Sequence, residues 1–239
     1  MIKYGNLIIP LLIFSLICIG IQQVNAQDYG IPKISQSFDV ALAGGSGNVF
    51  SGSVSWNRTH GLFATHKFRL GYGFRFHGLG GSELTYISTP LRLTSQESTI
   101  DSLVIARPLT LGISALISIQ YHFSPKFHIG FNIDALGVGF GRSGESTFIS
   151  SSNNGSFPER ISASPTGYNV LLGGDNDIGQ LKSEMYIGYA LNEKFGLRVG
   201  FDYTFSEYTT ERKLTNDNDR FRYKAPLAFL GLSYFPSKK

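Results

Sequence analysis

A histidine and a serine two positions apart, His122 and Ser124, form the spacing that most resembles a catalytic pair. On a β-strand this spacing puts both side chains on one face, where a histidine can act as general base for a serine nucleophile. Ser124 also begins a Ser-Pro-Lys segment, whose composition is typical of a tight turn. Because the pair abuts this turn, we interpret Ser124 as a turn residue and expect no catalytic residue here.

Two other groups of residues resemble metal ligands but are incomplete. His60 and His66 flank a predicted turn, and two histidines without a third ligand make a weak site. The segment 174–179 is rich in glycine and aspartate, like a calcium loop, but it lacks the alternating oxygen ligands and the distal glutamate. We therefore expect neither a metal nor a cofactor, with loosely bound calcium at 174–179 as the alternative.

Basic residues cluster in the segment 209–224. It holds Arg212, Lys213, Arg220, Arg222 and Lys224. Arginine offers two parallel hydrogen bonds to a phosphate, so this segment could bind a phosphorylated lipid. The alternative is a solvated, charged loop. The formal net charge of the whole chain is only +4, which does not favour a nucleic-acid partner.

Three carboxylates, those of Glu184, Asp202 and Asp134, are predicted to share one enclosed face of a sheet. A tight turn at 192–194 would pair the strands on either side so that Glu184 lies directly opposite Asp202. Asp134 would stand at the same height. Opposed like charges destabilise a sheet, and the repulsion is stronger in a dry interior, so another group must offset it.

The sequence predicts that arginines provide this offset. Their side chains would form an internal network of ion pairs and hydrogen bonds with the carboxylates, and the candidates are Arg75, Arg198 and Arg69. The alternative is that the carboxylates share a proton or bind a cation, and either would make them a functional site.

The elements that must position these residues are β-strands, because apolar and polar residues alternate with a period of two. In the clearest example, from Leu109 to Phe123, the odd positions are almost all apolar and the even positions are mostly small or polar. The apolar parity switches after Ala135, which predicts a β-bulge. This alternation predicts eight strands, around 38–42, 50–56, 68–76, 109–123, 127–140, 185–191, 195–205 and 228–234.

Short and long connections alternate between these strands, with one exception in the short first loop 45–48. The connections at 57–66, 124–126 and 192–194 would lie on one side of the sheet, and those at 45–48, 77–108, 141–180 and 209–222 on the other. Short turns on one side and longer loops on the other are typical of outer-membrane barrels.

Composition also indicates an exported membrane protein. Charged residues make up 16% of the chain, against about 25% in soluble proteins. No apolar run after residue 26 is long enough for a membrane helix. The apolar run after Lys3 predicts a signal peptide, residues 1–26, with cleavage after Ala26. Cleavage would also remove Cys18, the only cysteine.

These features resemble the small outer-membrane barrels of the OmpA transmembrane-domain and OmpX type. The resemblance covers residues 36–235 and rests on the alternating strands, the glycine-rich third strand, the turn at 124–126 and the aromatic-ended last strand. It implies an all-β fold, a closed antiparallel transmembrane β-barrel of eight strands with both termini in the periplasm of a Gram-negative bacterium. An extended segment, 27–35, would precede the barrel, and a periplasmic tail, 236–239, would follow it.

The same resemblance implies that the barrel assembly machinery inserts the chain into the outer membrane. In such barrels the last strand carries the assembly signal. The corresponding residues here are Leu230, Leu232, Tyr234 and Phe235.

The fold alone implies no activity, since small barrels include anchors, adhesins, lipid-modifying enzymes and transporters. We expect a non-enzymatic protein with a structural or surface-interaction role through the extracellular loops 77–108 and 141–180. Its partners would be outer-membrane lipid and lipopolysaccharide. The alternatives are transport of small or lipophilic molecules and lipid modification. An open pore is disfavoured, because side chains can fill an eight-stranded barrel.

Overall fold

The computed structural model describes residues 30–89, 100–150, 158–213 and 218–236. These residues form an all-β, antiparallel sheet of 13 strands, with one 3-10 turn at Gly174–Asn176. Among the described residues no helix is long and apolar enough to cross a bilayer. The signal peptide 1–26, with its cleavage at Ala26, lies outside them and stays a prediction. The strands are β1 (Ile34–Gly44), β2 (Val49–Leu62), β3 (Phe68–Gly81), β4 (Leu84–Ser88), β5 (Ser102–Ile105), β6 (Leu109–His122), β7 (Phe127–Gly141), β8 (Gly144–Ile149), β9 (Glu159–Pro165), β10 (Tyr168–Val170), β11 (Leu181–Ala190), β12 (Phe195–Thr210) and β13 (Arg220–Tyr234).

The long strands pair in a closed circuit, which we call the lower ring. Its lower end is the end that carries the turns at 124–126 and 192–194. The order of the ring is β1, β2, β3, β6, β7, β11, β12 and β13, and β13 pairs back with β1. Every pairing is antiparallel, which confirms the all-β, antiparallel part of the predicted fold class. A closed circuit leaves no unpaired strand edge, so the backbone hydrogen bonds of these strands are satisfied between neighbours.

The β-bulge predicted at the parity switch is present in β7. Ala115 of β6 pairs with Leu136, while the next residue, Leu116, pairs with Asp134. Ala135 is therefore the extra residue. The bulge keeps apolar side chains on the outer face on both sides of the switch, because one unpaired residue restores the alternation.

Side-chain hydrogen bonds set the tight turns at the lower end of the ring. The Asn192 Oδ1 atom accepts hydrogen bonds from the backbone N–H groups of Lys194 and Phe195, both at 2.8 Å. At the other turn, the Ser124 Oγ atom accepts the N–H of Phe127 at 3.1 Å. Asn and Ser are favoured in turns because they make such local hydrogen bonds. These two turns fix the register of β11 with β12 and of β6 with β7.

The described parts of the regions predicted as the long loops 77–108 and 141–180 contain several strands. β3 continues to Gly81, and the remainder contributes β4, β5, β8, β9 and β10. Strands β4, β5, β8 and β9 link the upper end of β13 to the upper end of β12. Because β12 and β13 also pair with each other there, these six strands close a second circuit, the upper ring.

The two rings have opposite polarity. In the lower ring the outward side chains are apolar and exposed, such as Met185 at 66% and Phe201 at 74%, while inward ones such as Ser118 and Asn132 are polar and buried. In the upper ring the inward side chains form an apolar core, which includes Leu84, Tyr86, Leu103, Ile105, Phe148 and Phe221. The lower ring therefore encloses the polar groups that the following section describes.

Candidate functional site

The middle of the lower ring holds a network of buried charges centred on Arg75. Its guanidinium donates to Asp134 at 2.8 Å and to Glu184 at 3.0 Å, and also to the backbone carbonyl of Lys182 at 3.0 Å. The side chains of all three charged residues are at most 1% exposed. One arginine on β3 thus links β7 and β11 across the interior.

The network extends to β12 and β1 through two more cations. The Lys182 ammonium contacts Asp202. The Arg198 guanidinium lies 3.3 Å from Glu184 and 3.7 Å from Asp39. Four carboxylates therefore face three cations in an enclosed space. Buried charges are tolerated when they are paired and hydrogen-bonded in this way.

The structure brings together most of the residues that the sequence selected for an internal network. Glu184 lies directly opposite Asp202 in the pairing of β11 with β12, and Arg75 and Arg198 contact the carboxylates. Arg69 lies elsewhere. Its Nε atom donates to the Thr59 hydroxyl at 3.1 Å, and its NH1 group to the carbonyl of Pro32. Arg69 shares a strand face with Arg75 but sits six residues lower on β3, about 20 Å away.

Three members of the network were missed from the sequence. Lys182 and Asp39 carry charges, and the amide of Asn132 donates to Glu184 at 3.3 Å. All three have the inward parity of their strands, and this signal could have identified them. Lys182 lies two residues before Glu184, on a part of β11 that the predicted strand did not include.

Aromatic side chains close the upper end of the lower ring. Tyr86 is fully buried, and its hydroxyl shares a 3.1 Å hydrogen bond with Ser206, which also accepts one from Thr110 at 3.1 Å. The rings of Tyr208 and Tyr223 lie 5.2 and 5.6 Å from that of Tyr86. Burial raises the pKa of the Tyr86 phenol above its usual value, so it stays a neutral hydroxyl.

His122 and Ser124, the pair with the catalytic spacing, make separate contacts near the lower end. Ser124 accepts backbone N–H groups of its turn. His122 instead stacks on His128, with ring centroids 4.6 Å apart, and its Nε2 lies 3.4 Å from the Gln120 amide oxygen. Opposite His128 stands Gly188, where a Cβ would collide with the imidazole. These contacts show that side chains pack closely at the lower end of the ring.

The residues that resembled metal ligands are engaged in other contacts. The His60 ring packs on Tyr72, and His66 Nδ1 lies 3.3 Å from the carbonyl oxygen of Ile31. β2 continues to Leu62, so the turn predicted at 57–66 is shorter and places His60 within the strand. In the part of the chain that the structure describes, no three His, Cys, Asp or Glu side chains are grouped to hold a metal ion.

The outward face of β12 and β13 carries a second cluster of buried charges, above the apolar outward face of the lower ring. Glu207 is 0% exposed and accepts hydrogen bonds from Arg220 at 2.8 Å and from Arg222 at 3.0 Å. Arg220 also donates to the carbonyl of Asp177 at 2.8 Å, and Gln180 to that of Glu207 at 2.7 Å. These bonds hold the segment 171–180 against the sheet, so Arg220 and Arg222 are not part of a solvated loop.

The other bases of the segment 209–224 have different surroundings. Arg212 pairs with Glu159 and lies 4.7 Å above the ring of Phe148. Lys213 and Lys224 are exposed. Residues 214–217 lie outside the described part of the chain.

The residues that resemble an assembly signal face outward at the lower end of β13. Leu230, Leu232 and Tyr234 are 50%, 45% and 39% exposed. Phe235 follows the strand, and its N–H donates to the carbonyl of Lys194 at 2.7 Å. Their role in assembly stays a prediction.

Known proteins resemble this chain only weakly. No family model and no curated protein matches the chain. Among solved structures, Neisserial surface protein A is 11% identical, with a TM-score of 0.36 over 84% of this chain and 94% of its own. Ail, the attachment invasion locus protein of Yersinia pestis, is 11% identical, with a TM-score of 0.34 over 84% and 97%. The toluene transporter TbuX of Ralstonia pickettii is 10% identical, with a TM-score of 0.26 over 84% and 88%. None of these similarities assigns the chain to a family.

Proposed function

We propose that the chain is an integral outer-membrane protein without enzymatic activity. Its lower ring is a transmembrane β-barrel that its own side chains close, and its upper ring stands outside the membrane as an interaction surface. The observation that carries this proposal is the change of polarity along the outward face of β12 and β13, because these two strands run through both rings.

On β12 the outward residues are apolar or aromatic up to Tyr203 and Phe205, and charged at Glu207. On β13 they are charged at Arg222 and apolar below Pro226. From Phe195 to Phe205 a strand tilted by about 40° rises about 25 Å, which matches the apolar band of outer-membrane barrels. The exposed apolar side chains would be costly in water, so a hydrocarbon environment accounts for them.

The filled interior supports a sealed barrel rather than a transport channel. The ion-pair network occupies the middle of the lower ring, and the tyrosine cluster covers its upper end. An eight-stranded barrel is just wide enough for side chains to fill. Transport of small or lipophilic molecules would require these paired charges to separate, which is costly in a buried site.

The upper ring supports a surface-interaction role. Four strands of the segments 77–108 and 141–180, β4, β5, β8 and β9, belong to this ring and pack on its apolar core, which holds their outward side chains in place. Function usually resides on such segments above a stable framework. We further propose that both termini are periplasmic, with an extended segment 27–35, the barrel 36–235 and a tail 236–239, and that the barrel assembly machinery inserts the chain among outer-membrane lipids.

Cysteine labelling of intact cells tests the orientation. Thr85 is exposed on the upper ring and Glu193 lies in a lower turn, and the chain has a single cysteine, Cys18. We expect a membrane-impermeant maleimide to label a Thr85→Cys variant on intact cells and a Glu193→Cys variant only after the envelope is broken. The reverse pattern would overturn the orientation.

Planar-bilayer recording tests whether the barrel is closed to ions. The refolded protein should insert, show heat-modifiable migration on gels and leave the bilayer current at its background level. A reproducible open-channel conductance would favour the transport alternative instead.

A further inference from the structure

The lower end of the lower ring carries a regular set of four lysines. One lysine directly precedes every second strand of the circuit, and the four are Lys33 before β1, Lys67 before β3, Lys126 before β7 and Lys194 before β12. Each of their backbone carbonyls accepts an N–H group of the neighbouring chain at 2.7 or 2.8 Å. The donors are, in the same order, Gly61, His122, Ala190 and Phe235. The four lysines therefore occupy equivalent positions, and we call them the lysine ring.

The lysine ring extends around the whole circuit. Neighbouring members are two strands apart in the order of the lower ring. Paired strands lie about 4.8 Å apart, so the backbones of neighbouring lysines are spaced by about 10 Å. All four side chains are exposed. Positive charge is therefore presented on every side of the barrel and not at one point.

The lower end has a large excess of positive charge. Apart from histidines, its described charged residues are the lysine ring, Arg58, Arg69 and Glu193, so six cations face one carboxylate. Asp39 and Arg198 lie further inside and pair with each other. None of the four lysines is in a salt bridge with a carboxylate of the described residues. The segments 27–29 and 237–239, which adjoin the described chain in sequence, hold one acid and two lysines. The lower end therefore favours an anionic partner.

Exposed aromatic side chains lie on the outward face next to the lysine ring. Phe127 and Phe195 directly follow two of the lysines and are 46% and 40% exposed. Their rings lie 5.0 Å from that of Tyr189 and 5.5 Å from that of Tyr234. Aromatic rings beside lysines are typical of a membrane interface, where the rings lie at the level of the headgroups and the long lysine side chain carries its charge to the polar side.

We propose that the lysine ring binds the headgroups of anionic phospholipids in the periplasmic leaflet. The inference rests on the proposed function, which surrounds the lower ring with hydrocarbon and puts its lower end on the periplasmic side. Cations at the end of a membrane-spanning segment are attracted to an anionic membrane surface. The spacing of the lysines around the whole circuit suits a surrounding layer of lipid, whereas a single soluble anion suits cations that are grouped on one side.

Fluorescence quenching by brominated phospholipids tests the proposal. Trp56, the only tryptophan, lies on β2, between the strands that follow Lys33 and Lys67. Bromine on an acyl chain quenches this tryptophan when the lipid contacts the barrel beside it. The refolded full-length protein is placed in vesicles of phosphatidylcholine and phosphatidylglycerol, with the bromine on either lipid. We expect phosphatidylglycerol to be preferred at Trp56 about fivefold, the effect of roughly one lysine at an anionic surface. Equal quenching by the two brominated lipids at equal mole fraction would overturn the proposal.

Substitutions identify the cations that select the lipid. Lys33→Gln together with Lys67→Gln removes the two members of the ring beside β2, and the preference should fall to about twofold or less. The matched control, Arg107→Gln together with Lys213→Gln, removes two exposed charges at the upper end and should leave the preference unchanged. Added salt should weaken the preference of the parent, because it screens exposed charges. An undiminished preference in the Lys33 and Lys67 variant would refute the role of the lysine ring.

A soluble acidic partner is the competing occupant, and polyglutamate is its probe. The refolded protein in a neutral detergent should bind polyglutamate no more tightly than the Lys33 and Lys67 variant does. Tight binding that this variant loses, together with no lipid preference at Trp56, would overturn the lipid assignment in favour of an acidic periplasmic partner.

The quenching experiment also separates this inference from the proposed function. If both brominated lipids quench Trp56 equally, the barrel is in the bilayer and only the lysine-ring proposal is wrong. If neither lipid quenches Trp56 although the protein is folded, the transmembrane assignment itself is wrong.

Discussion

Substitution of Arg75 is the most direct test of the buried ion-pair network in the lower ring. The substitution Arg75→Met keeps much of the side-chain volume but deletes the donors to Asp134 at 2.8 Å and to Glu184 at 3.0 Å. Glu184 retains Arg198 at 3.3 Å. Asp134 retains the backbone N–H of Lys182 at 3.1 Å and His77 Nε2 at 3.3 Å, but it loses the arginine that pairs with it. The cost therefore falls mainly on Asp134.

The expected magnitude follows from the burial of the stranded carboxylate. Breaking a buried ion pair by removing one partner costs about 3–5 kcal/mol, because an uncompensated charge remains in a low-dielectric site. Arg75 also donates to a backbone carbonyl, at 3.0 Å, so we expect the upper half of this range. The double variant Arg75→Met with Asp134→Asn should recover a large part of the loss, because it removes the stranded charge.

Equilibrium unfolding in lipid vesicles measures these differences. Trp56 is the only tryptophan and lies on β2, stacked on Phe74 with centroids 6.3 Å apart, so its fluorescence reports on the folded ring. Arg69→Met is the matched control. Arg69 is equally buried, but its side chain bonds to Thr59 and Pro32 rather than to a carboxylate, and its loss should cost less than half as much.

Two results would refute the reasoning. The first is equal destabilisation by Arg75→Met and Arg69→Met, which would mean that the carboxylates do not depend on Arg75. The second is a variant as stable as the parent, together with a higher melting temperature of the parent in calcium. That outcome would favour a cation site among the carboxylates over a structural network.

Three further predictions concern the outward face of the lower ring, its assembly and the segment 171–180. Ile117→Arg, on the exposed middle of β6, should cost about 2–4 kcal/mol in vesicles, and Tyr121→Arg, near the lower turn, about 0–1 kcal/mol; equal costs in vesicle unfolding would contradict the membrane placement. Changing Tyr234 and Phe235 together to Ala should leave export intact but reduce the heat-modifiable form in the outer membrane, and a wild-type level in fractionated cells would count against an assembly role. Glu207→Gln should leave Arg220 and Arg222 without their carboxylate and speed limited proteolysis within 171–180; an unchanged cleavage rate would show that other contacts hold this segment.

The lower ring could be predicted because its strands are long and have unlike faces. Over the 14 residues of β6, alternation alone assigns each side chain to the interior or the wall. The tight turn at Asn192 then fixes the register, and with it the opposition of Glu184 and Asp202. Local turn chemistry and a period of two were sufficient for this part of the candidate site.

The extent of the network could not be predicted in the same way. Parity gives the face of a side chain but not its height, so Arg69 and Arg75 were equivalent in the sequence although they lie six residues apart on β3. Height depends on the stagger between distant strands. The pairing of β1 with β13, which brings Asp39 close to Arg198, closes the ring between the two ends of the described chain.

The upper ring escaped prediction because its own strands are short and their polarity is inverted. β4, β5, β8 and β9 span four to seven residues each, too few for alternation to stand out from a loop. Their apolar residues face inward, whereas the lower ring follows the opposite rule. A search for strands with an apolar outward face therefore does not find these four strands.

The two rules are reconciled by the solvent that each ring meets. The proposed function places hydrocarbon around the lower ring, so that apolar residues face outward and the interior can hold charges only if they are paired. The same proposal places water around the upper ring. There β12 and β13 carry outward charges at Glu207 and Arg222, which pair with each other beneath the segment 171–180, while Tyr208 and Phe221 fill the core. The change of solvent thus occurs within one hairpin.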